Sequence, residues 1–374
     1  MIELKDIRDC CGCEACAQIC PVGCIEMVED REGFFYPKIE RQSCIECGRC
    51  EPLCPALNRA EPRKPISVYA AKSPDEALRA ESSSGGIFTP LAMATLARGG
   101  VAFGAIYDDK WQVYHSEATT AVQLGAMRGS KYTQSRVGSV YSQVRSYLRA
   151  GRDVLFSGTP CQIAALRGYL GGDSEGLLLV EVACHGVPSP RVWREYLAAV
   201  SGGAAVESVL FKDKSKSWLR YNITITFEDG RFSERASKNL FMRSFIKELI
   251  VRPSCYHCPA RSFSSGADIT LADYWGVERV HPEFHDDRGA SAVFVSSQRG
   301  EAAIRELGLE IIPTKFSDAV ALNSSIVRSA RPHARRARFF RELDGGVLKA
   351  MERCLKPTLL KRFTRFLSRT FLDS

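Results

Sequence analysis

Cys10-Cys11-Gly12-Cys13-Glu14-Ala15-Cys16-Ala17-Gln18-Ile19-Cys20-Pro21 is repeated 34 residues later as Cys44-Ile45-Glu46-Cys47-Gly48-Arg49-Cys50-Glu51-Pro52-Leu53-Cys54-Pro55. In each half the cysteines are separated by two, two and three residues, and proline follows the fourth. Two-residue gaps let three sulfurs wrap one face of a cubane iron–sulfur cluster, whereas the fourth thiolate lies too far along the chain to close the same corner and reaches a second cluster. The spacing therefore predicts two 4Fe–4S clusters with crossed ligands. Cys10, Cys13, Cys16 and Cys54 hold one, and Cys44, Cys47, Cys50 and Cys20 hold the other. Pro21 and Pro55 fix the turn after each crossing ligand. Gly12 and Gly48, beside ligands, let backbone amides approach sulfur.

This is the run of a bacterial dicluster ferredoxin. The alternative metal is zinc, but zinc ribbons use pairs of CxxC, not a triple with a trailing Cys-Pro. Cys11 and Cys24 fall outside the spacing and read as bystanders packed near the clusters. The chain has 15 cysteines, an odd number, ten of them within the first 54 residues, which argues against a disulfide framework and for reduced, metal-binding thiols.

Working outward, 374 residues are too many for one small domain, and 45% apolar with 25% charged residues is ordinary for a globular chain. No apolar run approaches the length of a membrane span, and the first residues carry no secretory pattern, so the expected location is the cytoplasm. The net charge of +8 is unevenly placed. Residues 1–60 carry 7 Lys/Arg against 11 Asp/Glu, and residues 328–374 carry 13 against 4. An acidic head of this kind suits docking to a basic redox protein, or is a solvated surface.

After a linker at Pro62, Lys64 and Pro65, helical and strand patterns alternate. Strands are expected at Val101–Ile106, Val154–Ser157, Leu177–Ala183, Tyr221–Phe227, Ile269–Leu271 and Ala292–Val295. Helices are expected at Leu91–Ala97, Val137–Ala150, Pro160 to about Leu170, Ser189–Val200, Lys238–Ile250 and Glu301–Leu307. The fold class is α/β (α+β), a domain with a mixed sheet preceded by a small ferredoxin-type domain. Residues 1–60 form the head, 61–330 the body and 331–374 a basic tail.

Loops after strand ends bind ligands in such sheets. Two of them carry Cys161 and Cys184, and a third segment adds Cys255 and Cys258. These four make a candidate third 4Fe–4S site. On spacing alone, Cys255 and Cys258 are equally half a zinc site or a redox pair, and Cys184 a core residue. Ser82–Gly86, Gly129–Tyr132 and Ser157–Pro160 are small polar loops, and no GxGxxG follows the first body strand.

Taken in order, these motifs resemble the family of coenzyme F₄₂₀ hydrogenase/dehydrogenase beta subunits. The matching strings are Ser83-Ser84-Gly85-Gly86-Ile87-Phe88, Arg128-Gly129-Ser130-Lys131-Tyr132, Phe156-Ser157-Gly158-Thr159-Pro160-Cys161-Gln162, Cys184-His185-Gly186-Val187-Pro188-Ser189-Pro190, Arg252-Pro253-Ser254-Cys255-Tyr256-His257-Cys258 and Asp268-Ile269-Thr270-Leu271-Ala272-Asp273-Tyr274-Trp275-Gly276. The resemblance implies an FAD-binding body with its own 4Fe–4S cluster on Cys161, Cys184, Cys255 and Cys258. It makes Ser84, Gly85, Gly86, Gly129, Ser130, Lys131, Tyr132, Ser157, Gly158 and Thr159 flavin-site candidates. Lys131 and His185 are candidates to stabilise reduced flavin or substrate.

The expected activity is that of an iron–sulfur flavin-dependent oxidoreductase. FAD would exchange two electrons with F₄₂₀, NAD(P)H or an organic substrate, and the clusters would pass single electrons to a partner such as ferredoxin. The alternatives are an electron-transfer component of a larger complex, without its own substrate, and a flavin-free iron–sulfur scaffold. In the tail, Leu359, Leu360, Phe363, Phe366, Leu367 and Phe371 fall at helical spacing among Lys361, Arg362, Arg365 and Arg369. That pattern fits a core-capping helix, or reversible contact with the inner membrane face or a partner. Nothing beside these basic residues would read bases, so nucleic acid is not expected.

Overall fold

The computed structural model describes residues 1–356. Thirteen strands are numbered in chain order: β1 Ile25–Glu29, β2 Phe35–Ile39, β3 Ser67–Lys72, β4 Val101–Tyr107, β5 Val113–Ala118, β6 Val154–Gly158, β7 Leu177–Val182, β8 Val206–Asp213, β9 Asn222–Phe227, β10 Gly230–Arg235, β11 Ile269–Asp273, β12 Ser291–Val295 and β13 Glu310–Pro313. Eight of them form one sheet in the order β13-β3-β12-β11-β7-β6-β4-β5. Its centre, β11-β7-β6-β4, is parallel, and the flanking pairs are antiparallel. The sheet is mixed, as the sequence predicted.

Both faces of the sheet are buried, so its central strands read as continuous apolar runs. Val101, Phe103, Val154, Phe156, Leu177 and Leu179 face the helices Val140–Arg149 and Pro160–Leu170. Ala102, Leu155 and Val180, one residue out of phase, join Leu91 and Ala92 of helix Phe88–Ala97 on the other face. Every predicted body strand and helix is present with shifted ends. The largest shift is in the segment expected as one helix over Lys238–Ile250. Asn239 caps it, and it spans only Leu240–Ile246, because Glu248 turns left-handed at φ 61°.

A three-stranded antiparallel sheet, β10-β9-β8, packs with helices Pro190–Ser201, Leu240–Ile246 and Val347–Leu355. The last of these lies in the stretch set apart above as a tail. Val347, Ala350, Met351, Cys354 and Leu355 are each at most 4% exposed and share a core with Trp193, Phe241 and Phe245. The described start of that stretch thus covers the body's own core. The amphipathic pattern at Leu359–Phe371 lies outside the described residues.

The head is a β1–β2 hairpin with short helical turns and a thin core built mainly of cysteines: Ile2, Cys16, Cys24, Ile25, Cys50 and Cys54. So small an apolar core is marginal alone, and cluster binding supplies folding energy to such modules. The head docks on the helix layer through Cys11, Cys13, Ala15 and Leu53. Charge reinforces the contact. Glu14 meets Arg136, Glu29 meets Arg194 and Glu32 meets Arg336. Three of the head's 11 acids are therefore paired with the body, which brings the charge on its remaining surface close to balance.

Candidate cluster sites and central cavity

The head cysteines separate into two groups. Burial pushes Cys16 up to about 12, and the Cys10 and Cys54 sulfurs add to it. Burial likewise raises Cys54, with Cys10 and Cys50 nearby. Cys20, Cys44, Cys47 and Cys50 line a separate small cavity. Cys24 lines it too, its sulfur 3.4 Å from that of Cys20. Among the described residues no three Cys, His, Asp or Glu side chains converge as ligands of a single ion would. The sulfurs of Cys20, Cys44, Cys47 and Cys50 instead border a shared cavity. Gly12 donates its N–H to Cys10 Sγ at 3.3 Å, the amide–sulfur bond that stabilises a thiolate. Gly12 sits at φ 66°, and a side chain there would come within 2.9 Å of Arg252 Nη1 and 2.5 Å of Gln134 Nε2.

The four body cysteines come from helix Pro160–Leu170, the end of β7 and the turn Pro253–His257, followed by Cys258. Burial pushes Cys184 up to about 12, with the Arg261 charge opposing and the Cys161 and Cys258 sulfurs adding. Burial raises Cys255 further, and its neighbours are Cys184, Cys258 and Cys161. Burial, with the neighbouring sulfurs adding, raises Cys184, Cys255 and Cys258, and the bond with Cys11 and then burial raise Cys161, so all four partly buried residues are held as thiols. A cluster relieves that cost by taking them as thiolates, so the donor set fits one.

Beside them, at the carboxyl ends of β6, β7 and β11, lies a cavity of about 300 Å³, where open α/β sheets bind ligands. Ser84, Gly86, Gly129, Ser130, Lys131, Tyr132, Ser157, Gly158 and Thr159 all line it, as do Cys161, Cys11 and Gly12. Gly85 stands behind the lining and seats its loop on the sheet, its N–H on Ser291 Oγ at 3.0 Å. A Cβ at Gly85 would fall 2.4 Å from Ala71 O. His185 is not brought into the cavity. Its Nε2 lies 3.6 Å from Glu248 Oε1, and its ring meets Phe245 edge-on.

Sequence reading missed His115. On the short strand β5 it reads as one polar residue in an alternating pattern, and no string marks it. It lines the cavity with its Nε2 3.0 Å from Ser157 O and its Nδ1 2.7 Å from Ser135 Oγ. A carbonyl only accepts, so Nε2 carries the proton and the Ser135 hydroxyl donates to Nδ1. Burial brings His115 down to about 4, so it is neutral at physiological pH. Gln162 ties the same network to the next loop, donating to Ser135 Oγ and accepting from Thr159 N at 2.9 Å.

Lys131 Nζ donates to the carbonyls of Met127, Arg128 and Gly129 at 3.1–3.4 Å and lies 5.5 Å from the centre of the Tyr107 ring. Burial brings Lys131 down to about 7. A lysine whose folded pKa is depressed costs stability while the unfolded chain holds more protons. The cost is full below about pH 7 and fades as pH rises toward the unfolded value near 10.4. The expected outcome for Lys131→Met is a stability difference from wild type that moves in the variant's favour as pH falls from about 10 to about 6. Denaturant melts of the ligand-free protein across that range check it, and a pH-independent difference would count against a strained cation here.

The paired cysteine runs, the mixed sheet and the cavity at its carboxyl edge define an iron–sulfur oxidoreductase component. Residues 9–58 match the 4Fe-4S dicluster domain. Residues 68–142 and 151–311 match the N-terminal and C-terminal domains, respectively, of the coenzyme F₄₂₀ hydrogenase/dehydrogenase beta subunit. The chain belongs to the family of coenzyme F₄₂₀ hydrogenase/dehydrogenase beta subunits. It is 26% identical over 312 residues to the F subunit of the F(420)H(2) dehydrogenase of Methanosarcina mazei, covering 78% of this chain and 80% of that one. Its head is 44% identical over 41 residues to a 7Fe ferredoxin of Hydrogenibacillus schlegelii, covering 11% of this chain and 46% of that one. A chain of the F₄₂₀-reducing nickel–iron hydrogenase complex from Methanosarcina barkeri aligns at 19% identity and a TM-score of 0.48, over 79% of this chain and 94% of that one.

Proposed function

We propose that the chain is an iron–sulfur flavoprotein that converts between two-electron and one-electron transfer, with FAD in the central cavity, a 4Fe–4S cluster on Cys161, Cys184, Cys255 and Cys258, and two more in the head. One observation carries this reading. The cavity that gathers the polar loops is walled by Cys161 of the body set and by Cys11-Gly12, which lies between the head ligands Cys10 and Cys13. A group bound there lies against Cys161 of the body set and against the head loop that joins Cys10 to Cys13.

Bound FAD supplies hydride exchange on one side and single-electron exchange on the other. The chain does the positioning. Gly85 holds its loop flat on β3 and β12, and the Thr159–Gln162 and Ser135–His115 bonds fix the opposite wall. Lys131, seated on three carbonyls, is protonated below about pH 7 and would offset negative charge on whatever the cavity holds.

The two-electron partner is F₄₂₀, a nicotinamide or a small organic molecule, and the one-electron partner a ferredoxin or another protein of the same complex. The Methanosarcina mazei relative is by name one component of a dehydrogenase. That favours the second form of this reading, in which a partner chain holds the substrate. Among the described residues no helix is long and apolar enough to cross a membrane. Work at the inner membrane face would then need a partner or the tail.

The test is flavin analysis after anaerobic purification. Wild type should carry about one FAD per chain. Ser130→Trp, which fills the cavity, should lose it while keeping the head clusters. Wild type without flavin, but with its iron, would leave the scaffold reading.

A further inference from the structure

Arg252 has 0% exposure. Its Nε donates to Cys10 O at 2.7 Å, its Nη1 to Gln134 Oε1 at 2.9 Å and its Nη2 to Phe35 O at 2.9 Å. The Tyr36 ring centre lies 4.3 Å from its guanidinium carbon. All of these partners are neutral, and among the described residues no carboxylate pairs with it. Of the other buried cations, Arg79 bonds Asp286 and Lys212 bonds Asp273, whereas Lys214, 9% exposed, donates to the carbonyls of Ser84 and Arg288. Arg252 is held from both ends. Its own N–H bonds Val187 O and its carbonyl accepts from Cys255 N, each at 3.0 Å, so the side chain leaves the Cys255–Cys258 turn and enters the head beside Cys10.

A buried guanidinium without a counter-charge costs several kcal/mol, in order of magnitude, and natural structures rarely keep one. Hydrogen bonds to carbonyls satisfy its donors but do not neutralise it. A cubane cluster on four thiolates is net negative, and its charge grows by one when it is reduced. A fixed cation within a few bonds of a ligand cysteine lowers the energy of that more negative form. Arg261 repeats the pattern. It is 5% exposed, makes no carboxylate hydrogen bond among the described residues, and donates to the carbonyls of Cys184 and Ser325, with the Glu181 charge within electrostatic reach.

We propose that Arg252 is the counter-charge of the head cluster to which Cys10 belongs, and that it raises that cluster's reduction potential above that of the cluster in the Cys20, Cys44, Cys47 and Cys50 pocket. Electrons crossing between body and head would then settle first at the cluster nearest the body. The inference needs Cys10 to be a ligand, and it stands whether or not the cavity holds FAD.

The experiment is a potentiometric titration of the full-length, anaerobically reconstituted protein, followed by electron paramagnetic resonance. In Arg252→Gln, one head cluster should become about tenfold harder to reduce, about 59 mV for a one-electron couple, while the other head cluster keeps its potential. Arg252→Lys keeps the charge and should hold the wild-type value within about threefold. Gln134→Glu is isosteric and gives the guanidinium a carboxylate at the Oε1 position, so it should lower the same cluster as Arg252→Gln does. If Arg252→Gln fails to retain iron, Arg252→Met, which keeps bulk and drops the charge, takes its place, because Gln134→Glu also adds its own charge and loses the Nε2 bonds to Cys11 O and Gly12 O. Unmoved potentials in Gln134→Glu, or a fall in Arg252→Lys as large as in Arg252→Gln, would overturn the proposal, the latter because lost geometry rather than lost charge would then be responsible.

Discussion

On the proposed reading, iron should fall from about 12 to about 8 atoms per chain when Cys255 is changed to serine, because one of three four-iron clusters would lose a ligand it cannot replace. Cys255 is half-buried beside Cys184, Cys258 and Cys161. A serine hydroxyl in its place has a far higher pKa and little affinity for iron. The head should keep its eight iron atoms, in round number, since all its spaced cysteines lie within residues 10–54. Serine is nearly isosteric, so the N–H of residue 255 still reaches Arg252 O and Arg252 still reaches Cys10 O. Iron and acid-labile sulfide analysis after anaerobic reconstitution checks this. About 8 iron atoms already in wild type would mean that the body cysteines bind no cluster.

Truncation before Val347 should prevent folding of the body, whereas truncation after Lys356 should not. The helix Val347–Leu355 buries Val347, Ala350, Met351, Cys354 and Leu355 against helices Pro190–Ser201 and Leu240–Ile246. Burial of a large apolar side chain contributes roughly 1.5–3 kcal/mol. Losing this group therefore removes about as much as the 5–15 kcal/mol that separates a typical domain from its unfolded state. The measurement is the recovery of soluble protein and the thermal melt of both truncations. A chain ending at residue 345 with a wild-type melt would show that this helix is dispensable. Any vesicle-binding test of the amphipathic stretch Leu359–Phe371 therefore has to compare the full chain with one that ends at Lys356, not at Gly345, to separate membrane contact from loss of the core.

The cysteine runs were legible because metal ligation fixes residue type and spacing at once. The central strands were legible because burial on both faces leaves unbroken apolar runs such as Val154–Phe156 and Leu177–Val180. Edge strands were not. β5, Val-Tyr-His-Ser-Glu-Ala, carries polar residues that make sense only with the cavity on one side, and β8 is interrupted by irregular register against β9. His115 was missed for the same reason, its role depending on Ser157 and Ser135 from distant segments. The head's acidity suggested an outside partner. Its pairing with Arg136, Arg194 and Arg336 is long-range in sequence and leaves no local pattern. Cys11 reads as a spare cysteine until the fold sets it between the cavity and the head, where it lines the same wall as Cys161.

The central claim is that one chain joins a two-electron centre to a set of one-electron centres. A stepwise anaerobic reductive titration of the reconstituted protein, with electrons counted against absorbance change, tests it most directly. The expected uptake is about five electrons per chain, one for each of three clusters and two for the flavin. An uptake of about two, with no flavin bleaching, would mean that only the head carries redox centres and would contradict the claim.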